Sequence, residues 1–128
     1  MIGILLIEND LILRRDYAKS LEAGGFNVIP CPGGSEVESL VDNNNFEIIL
    51  SDSDLGANNS MGYEIIGDLK KSGKLENKLI IGMSGSHDEL DKWKDIAYWK
   101  MYKPNISDMG RAVSCVYARW IVKGNKIF

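Results

Sequence analysis

The chain has 128 residues, of which 45% are hydrophobic and 26% charged, and its formal charge at pH 7 is −3. This length and balance predict a single globular domain over residues 1–128, and the negative charge gives no electrostatic basis for direct binding to nucleic acid. The first apolar run, residues 4–7, is too short for a signal peptide or a membrane span, so we expect a cytoplasmic protein without a membrane partner.

Short apolar runs alternate with helical repeats along the chain. The five runs that predict strands are residues 2–7, 26–29, 46–50, 79–83 and 98–102. The first predicted helix carries Leu13, Tyr17 and Leu21 on one face and ends at Gly24-Gly25. The four later helices are one that begins with a capping box at residues 35–38, one over 61–71, a short one that begins with a capping box at 86–89, and one over 106–122.

Five strands that alternate with five helices predict an α/β fold with one parallel sheet covered on both faces. Right-handed crossovers favour the strand order 2-1-3-4-5 of flavodoxin-like folds. Ligands of such sheets bind beyond the carboxyl ends of the strands, at the point between strands 1 and 3 where the order reverses. The polar residues that follow the strands are therefore the candidate functional residues.

Acidic, hydroxyl and basic side chains follow the predicted strands. They are Glu8, Asn9 and Asp10 after the first strand, Asp52 and Asp54 after the third, Ser84 after the fourth and Lys103 after the fifth. Carboxylates that lie close together repel each other by roughly 4 kcal/mol per pair at an effective dielectric constant of about 20. The cluster therefore needs positive charge, which Lys103 and a divalent cation bound through oxygens, such as Mg²⁺, would supply.

The same side chains suit phosphoryl transfer, which depends on positioning and on neutralised phosphoryl oxygens. An aspartate can act as the nucleophile and become an acyl phosphate. Asp52 is the predicted nucleophile because it directly follows the third strand and would lie centrally in the sheet.

The acidic pair, Asp52, Ser84 with the small residue after it, and Lys103-Pro104 occur in an order that resembles the receiver domain of response regulators, the CheY-like domains of two-component signalling. The resemblance extends from residue 4 to about residue 122. It implies that Asp52 is the phospho-acceptor, that Ser84 is the switch hydroxyl, and that Lys103 is the lysine of the phosphorylation site.

The resemblance also implies a magnesium site. Glu8 and Asn9 match the acidic pair that holds Mg²⁺ together with the acceptor Asp52, and Asp54 matches the position whose backbone carbonyl completes the metal site. Gly62 matches the glycine that opens the third helix.

The chain departs from the receiver pattern at four places. Asn9 stands where a second acid is usual, so one charge is lost from the metal site. The switch aromatic, normally three residues before the lysine, is replaced by Lys100. The loop over residues 55–60 is longer than usual and lacks its proline, and the stretch from 84 to 103 is shorter, which predicts a trimmed fourth helix.

Membership of this family would imply a phosphorelay, in which a sensor histidine kinase or a phosphotransfer protein is the phosphoryl donor. We expect no enzyme activity beyond slow self-dephosphorylation. No output domain follows in this sequence, so the signal should leave through the face built by the fourth helix, fifth strand and fifth helix, to a downstream protein or a second copy of the chain. The predicted residues of this face are Trp93, Trp99, Lys100, Tyr102, the last helix and the apolar tail at 127–128.

Coupling from Asp52 to this face would run through Ser84 and Lys103. Lys100 cannot enter an apolar pocket as a ring does, because burying its charge is costly. We therefore expect movement of the loop with Ser84 and Gly85 to be the two-state element.

Three alternative functions remain open. A receiver-shaped binding module that no longer uses phosphate is consistent with Asn9 and Lys100. A phosphohydrolase of the haloacid-dehalogenase type would use Asp52 and Asp54 as nucleophile and acid, but that family places its motif on the first strand. A flavodoxin would need a loop rich in hydroxyls and glycines after the first strand, where this chain carries acids that repel phosphate.

Several other residues have plain structural interpretations. Cys31 and Cys115 are far apart in the sequence and are predicted to be buried free thiols. His87 is predicted to be a surface loop residue, and the tryptophans are predicted to be mostly buried or half-buried packing residues.

Overall fold

The five apolar runs form the strands of one parallel sheet in a computed structural model that describes residues 1–56 and 59–124. The strands are β1 (Gly3–Ile7), β2 (Asn27–Cys31), β3 (Ile48–Asp52), β4 (Leu79–Ser84) and β5 (Trp99–Tyr102). The helices are α1 (Leu11–Ala23), α2 (Glu36–Asn43), α3 (Gly62–Lys71), α4 (His87–Leu90) and α5 (Met109–Val122). The strand order β2-β1-β3-β4-β5 confirms the predicted fold class.

The sheet has a separate hydrophobic core on each face, because successive side chains of a strand point to opposite sides. Ile4 and Leu6 pack with α1 and α5, whereas Leu5 and Ile7 pack with the side chains of α2, α3 and the segment after α4. All residues of β1, β3 and β4 are buried. This explains why these strands appear in the sequence as continuous apolar runs rather than as alternating patterns.

One helix start carries a side-chain cap, and the caps predicted at two others are absent. Asp10 caps α1, since its carboxylate accepts a hydrogen bond of 2.9 Å from the backbone N–H of Leu13. The predicted capping boxes at residues 35–38 and 86–89 are wrong, because neither Ser35 nor Ser86 caps its helix with its side chain. Ser35 has helical backbone angles, φ −68° and ψ −13°, instead of the extended conformation that a capping serine adopts.

The connection between β4 and β5 is short, as the spacing predicts. α4 has four residues and runs into a single 3₁₀ turn over Asp91–Trp93. Asp95 then takes a left-handed conformation with φ 67°. Lys70 of α3 stabilises this turn, because its ammonium group donates hydrogen bonds of 3.1 Å to the carbonyls of Asp95 and Ile96.

Some element bounds differ from the prediction. The third strand ends at Asp52 instead of residue 50, and the second extends to Cys31. The last helix begins at Met109 instead of residue 106, after a 3₁₀ turn over Ile106–Asp108, and Ile106 is exposed. The predicted tail at 127–128 lies outside the described residues.

The predictions for the cysteines and His87 are confirmed in part. The prediction for the tryptophans is confirmed, since Trp93 and Trp120 are buried and Trp99 is 38% exposed. Both cysteines are free thiols, but Cys115 is exposed, so only Cys31 is the predicted buried thiol. Cys115 lies on α5 beside the buried Val116 and faces away from the core. His87 is exposed, at the first position of α4, and its ring contacts Tyr102 edge-on with centroids 4.1 Å apart.

Within residues 1–56 and 59–124, no helix combines the length and the apolar character that crossing a membrane requires.

Candidate functional site

The candidate site lies at the carboxyl ends of the central strands. β1 and β3 are adjacent and parallel, with Ile7 paired to Ser51. This register places Glu8, the residue after β1, beside Asp52, the last residue of β3. Glu8 is fully buried and Asp52 is 5% exposed, so two carboxylates meet where little water can screen them.

Lys103 supplies one positive charge to this carboxylate pair. Its ammonium nitrogen lies 2.7 Å from Glu8 Oε1 and 3.0 Å from Asp52 Oδ2. Lys103 follows β5, and its backbone N–H donates a hydrogen bond of 2.9 Å to the carbonyl of Ser84 at the end of β4. The position of Lys103 is therefore determined by the pairing of β4 with β5.

The pKa of Asp52 is raised to about 6. Burial is the largest cause, and the neighbouring charge of Glu8 adds to it. Lys103 and the backbone N–H of Ser53, which donates to Asp52 Oδ1 at 2.8 Å, act in the opposite direction. Burial lowers the pKa of Lys103, but its hydrogen bonds to Glu8 and Asp52 outweigh this effect, and its pKa is raised. Lys103 therefore stays charged at neutral pH.

All six residues predicted for the site line one open cleft of about 660 Å³. They are Glu8, Asn9, Asp52, Asp54, Ser84 and Lys103. The Ser84 hydroxyl is nearly buried and accepts a hydrogen bond of 3.0 Å from the backbone N–H of Ser86. It faces the same cleft as Asp52, but its hydrogen bond is to the loop that follows β4 and not to Asp52.

The side-chain NH₂ group of Asn9 contacts two oxygens that could otherwise bind a cation. In the amide orientation that satisfies its neighbours, its NH₂ group lies 3.2 Å from the carbonyl oxygen of Asp54 and 3.3 Å from Glu8 Oε2. The Asp54 side chain turns away to accept a hydrogen bond of 2.9 Å from the Gly56 N–H, which leaves its carbonyl towards Asn9. The amide donor thus binds two oxygens that have the chemistry of Mg²⁺ ligands.

Two residues of the site were missed in the sequence. Arg14 of α1 donates a hydrogen bond of 2.9 Å to the backbone carbonyl of Glu8 and so holds the loop after β1. Glu89 of α4 lines the cleft, and its Oε2 is the only buried side-chain oxygen or nitrogen of the described residues that has no hydrogen-bond partner. In the sequence Glu89 is only the last residue of the predicted capping box at 86–89, and no pattern there places it at the cleft.

The residues present fit Mg²⁺ in their chemistry. The cleft offers carboxylate oxygens of Glu8 and Asp52, the carbonyl of Asp54 and the side chain of Asn9, all of them oxygen donors once the amide turns. The orphan oxygen of Glu89 is a further acceptor that a cation or its water could satisfy. Over the described part of the chain, no three His, Cys, Asp or Glu residues are grouped so as to hold a metal, so a site here needs amide or carbonyl oxygens.

The fold is that of known receiver domains. The chemotaxis response regulator CheY4 of Vibrio cholerae superposes with a TM-score of 0.79 and 18% identity, over 91% of this chain and 98% of that one. A CheY-like receiver domain from Methanospirillum hungatei gives 0.78 and 22%, over 97% and 99%. The response regulator TrrA of Thermotoga maritima, in complex with Mg²⁺-BeF, gives 0.77 and 18%, over 91% and 99%.

These likenesses confirm, at the level of the fold, the resemblance to response-regulator receiver domains. No family model matches the chain. A probable transcriptional regulator of Pyropia yezoensis, ycf29, is 32% identical over 91 residues, which are 71% of this chain and 40% of that protein. The aligned region thus spans about two fifths of the length of this curated relative.

Proposed function

We propose that this chain is a response-regulator receiver domain in which Asp52 accepts a phosphoryl group in a two-component phosphorelay. The observation that carries the proposal is the contact of Lys103 with both Glu8 and Asp52 in a cleft that Ser84 also lines. A nucleophilic carboxylate, a fixed ammonium group and a hydroxyl are the groups that hold and neutralise a transferred phosphoryl group.

In the proposed reaction a carboxylate oxygen of Asp52 attacks the phosphorus of a phosphohistidine on a sensor kinase or phosphotransfer protein. A P–O bond to Asp52 forms while the P–N bond of the donor breaks, and the histidine nitrogen keeps the electron pair. Lys103 and Ser84 then hold phosphoryl oxygens. Later attack by water on the acyl phosphate regenerates Asp52, so that enzyme activity is limited to slow self-dephosphorylation.

Magnesium is the proposed cofactor. When bound, Mg²⁺ supplies positive charge to the phosphoryl oxygens during transfer. Glu8, Asn9, Asp52 and the carbonyl of Asp54 are the proposed ligands, and the NH₂ group of Asn9 must leave Glu8 and Asp54 for them to bind the ion. Since TrrA is described in complex with Mg²⁺-BeF, a receiver fold of this kind is compatible with such a site.

The proposed output surface is the face formed by α4, β5 and α5, which would meet a downstream protein or a second copy of the chain in the cytoplasm. Tyr98, Trp99 and Tyr102 are 37%, 38% and 42% exposed there, and the Arg119 guanidinium lies 5.5 Å from the centroid of the Trp99 ring. The earlier assignment of Trp93 to this face is wrong, because its side chain is fully buried.

Acetyl phosphate with Mg²⁺, followed by intact-mass measurement, tests the proposal. We expect one added phosphoryl group on the wild type and on the matched control Asp54→Asn, and none on Asp52→Asn. Asp54 is a suitable control because its side chain is exposed, accepts a hydrogen bond from the Gly56 N–H of its own turn, and is not the part of the residue proposed to bind the metal, which is the backbone carbonyl. Labelling of Asp52→Asn would refute the assignment, and absence of labelling in the wild type would favour the phosphate-independent binding module.

A further inference from the structure

Trp93 is buried directly against the end of the central sheet. Its side chain has no exposed area, and its ring lies over Gly82 of β4. A Cβ atom at position 82 would lie 2.3 Å from the ring, so only glycine leaves room for the indole. Tyr63 of α3 packs edge-on against the same ring, with centroids 6.1 Å apart.

A continuous series of hydrogen bonds joins Trp93 to Asp52. The indole Nε1–H donates to the Ser53 hydroxyl at 2.7 Å, and that hydroxyl donates to the carbonyl of Met83 at 2.9 Å. The backbone N–H of Ser53 is shared between Asp52 Oδ1, at 2.8 Å, and the same Met83 carbonyl, at 3.0 Å. Ser53 is fully buried, so losing the bond from the indole to its hydroxyl would leave the buried indole N–H unsatisfied.

The backbone of Trp93 is hydrogen-bonded in the opposite direction, towards the proposed output surface. Its carbonyl accepts hydrogen bonds of 3.0 Å from the N–H groups of Ile96 and Ala97. Tyr98 follows, and its N–H donates to the carbonyl of Ile80 in β4 at 2.9 Å. These bonds connect the backbone of Trp93 to the start of β5.

We propose that Trp93 is a positioning residue that acts on Asp52 through Ser53 and couples the state of Asp52 to the segment over residues 91–99. The inference rests on the proposed function, since it requires that Asp52 changes its chemical state. A phosphoryl group on Asp52 alters what its carboxylate can accept from the Ser53 N–H. The hydroxyl of Ser53 and the indole that it holds then move together, because separating them costs a buried hydrogen bond. Trp93 thus carries a coupling that Lys100 cannot.

Indole N–H resonances give a direct test. In ¹H–¹⁵N spectra of the whole chain, addition of beryllofluoride and Mg²⁺ should shift the Trp93 indole peak, while Trp120, which packs on the other face of the sheet, serves as the internal reference. Ser53→Ala should remove the shift, because the hydroxyl that connects the indole to residue 53 is gone. Binding of beryllofluoride is followed independently by ¹⁹F resonance.

Conservative and control variants distinguish loss of the coupling from loss of the fold. Trp93→Phe keeps a ring over Gly82 but removes the donor, and Ser39→Ala is the matched control for Ser53→Ala at an exposed serine of α2. We expect Trp93→Phe and Ser53→Ala to slow phosphorylation by acetyl phosphate to the same extent and without additivity, and Ser39→Ala to leave the rate unchanged.

The outcomes separate the two proposals. Binding of beryllofluoride with an unmoved Trp93 peak, or additive effects of the two variants, would overturn the coupling and leave Asp52 as the acceptor. If the wild type neither binds beryllofluoride nor accepts a phosphoryl group, the proposed function fails and the coupling fails with it.

Discussion

Asp52 is a carboxylate whose charge is disfavoured by its surroundings in the metal-free chain. Burial and the nearby Glu8 together outweigh the contribution of Lys103, so that its pKa lies at about 6. The ionised form, which is the nucleophile, is thus most costly where no cation is bound. The same repulsion that raises this pKa would be relieved when a divalent cation binds.

The raised pKa predicts how stability depends on pH in the presence of EDTA. Between the unfolded pKa, near 3.8, and the folded value of about 6, the folded chain binds more protons at Asp52 than the unfolded chain does. The contribution of Asp52 to the free energy of unfolding therefore falls as pH rises through this window. Asp52→Asn should gain stability relative to the wild type over the same range, by about 1–2 kcal/mol above pH 6 after allowance for solvent screening.

Urea unfolding at several pH values measures this difference. Asp68→Asn, an exposed change on α3, is the control and should show no growing difference. If the stability of Asp52→Asn relative to the wild type does not increase with pH, the carboxylate is not held in the environment described.

A second prediction concerns the affinity for Mg²⁺, which we expect Asn9 to limit. Asn9→Asp adds a charge and removes the NH₂ group that binds Glu8 and Asp54, so it should tighten Mg²⁺ binding by on the order of tenfold. It should also lower the stability of the metal-free fold through repulsion with Glu8. Titration calorimetry measures the affinity, and Asn27→Asp, which adds one charge at the opposite end of the sheet, is the control. An unchanged or weaker affinity would show that Asn9 is not a ligand position.

Glu89 gives a third prediction. Its Oε2 is buried without a hydrogen-bond partner, and the residue lines the cleft. Its carboxylate can therefore supply the negative charge that Asn9 lacks as a cation ligand. Glu89→Gln should therefore weaken Mg²⁺ binding, and Asn9→Asp in the same chain should restore it. Glu76→Gln, an exposed change, should leave the affinity at the wild-type value. Equal affinities of Glu89→Gln and the wild type would remove Glu89 from the cation site.

At the scale of the elements, the first residue of α3, Gly62, packs against the end of β3, and only glycine fits at this contact. A Cβ atom at Gly62 would lie 2.0 Å from the backbone oxygen of Asp52. The N–H of Gly62 also donates a hydrogen bond of 2.7 Å to the carbonyl of Ser53. The start of α3 is therefore packed against the backbone of the acceptor residue.

Gly62→Ala should destabilise the fold by about 1–3 kcal/mol, because the backbone of β3 or α3 must move to admit the methyl group. The matched change in the same helix is Gly67→Ala, whose Cβ would meet only the flexible end of Ile96 at 3.3 Å. That variant should change stability by less than about 1 kcal/mol. Denaturant unfolding of both variants tests the contact, and equal effects at the two glycines would contradict it.

The sequence predicted the existence and type of the elements better than their ends. Continuous apolar runs fix strands that are buried on both faces, and the spacing of Ser84 and Lys103 correctly indicated a trimmed α4. Hydrogen bonds at helix starts were harder to predict, since a Ser-x-x-Glu pattern does not determine the backbone angles of Ser35. The extension of β3 to Asp52 depends on pairing with β4, where Asp52 is opposite Met83, which a local pattern does not contain.

At the scale of the whole molecule, parallel pairing brings residues far apart in the sequence into one cleft. Glu8 and Lys103, separated by 95 positions, lie in direct contact. Chain order and handedness rules are enough to predict this convergence. The burial of Trp93 over Gly82 was not predictable from the sequence, because it depends on how the short connection between β4 and β5 packs against the sheet.

We propose that Asp52, and no other carboxylate of the cleft, becomes an acyl phosphate. Borohydride reduces an aspartyl phosphate to homoserine, so treatment after incubation with acetyl phosphate and Mg²⁺, followed by peptide mass spectrometry, identifies the modified position directly. We expect homoserine at position 52 alone, and none when Mg²⁺ is removed by EDTA. Reduction at Glu8, Asp10 or Asp54, or no reduction at any position of a folded chain, would contradict it.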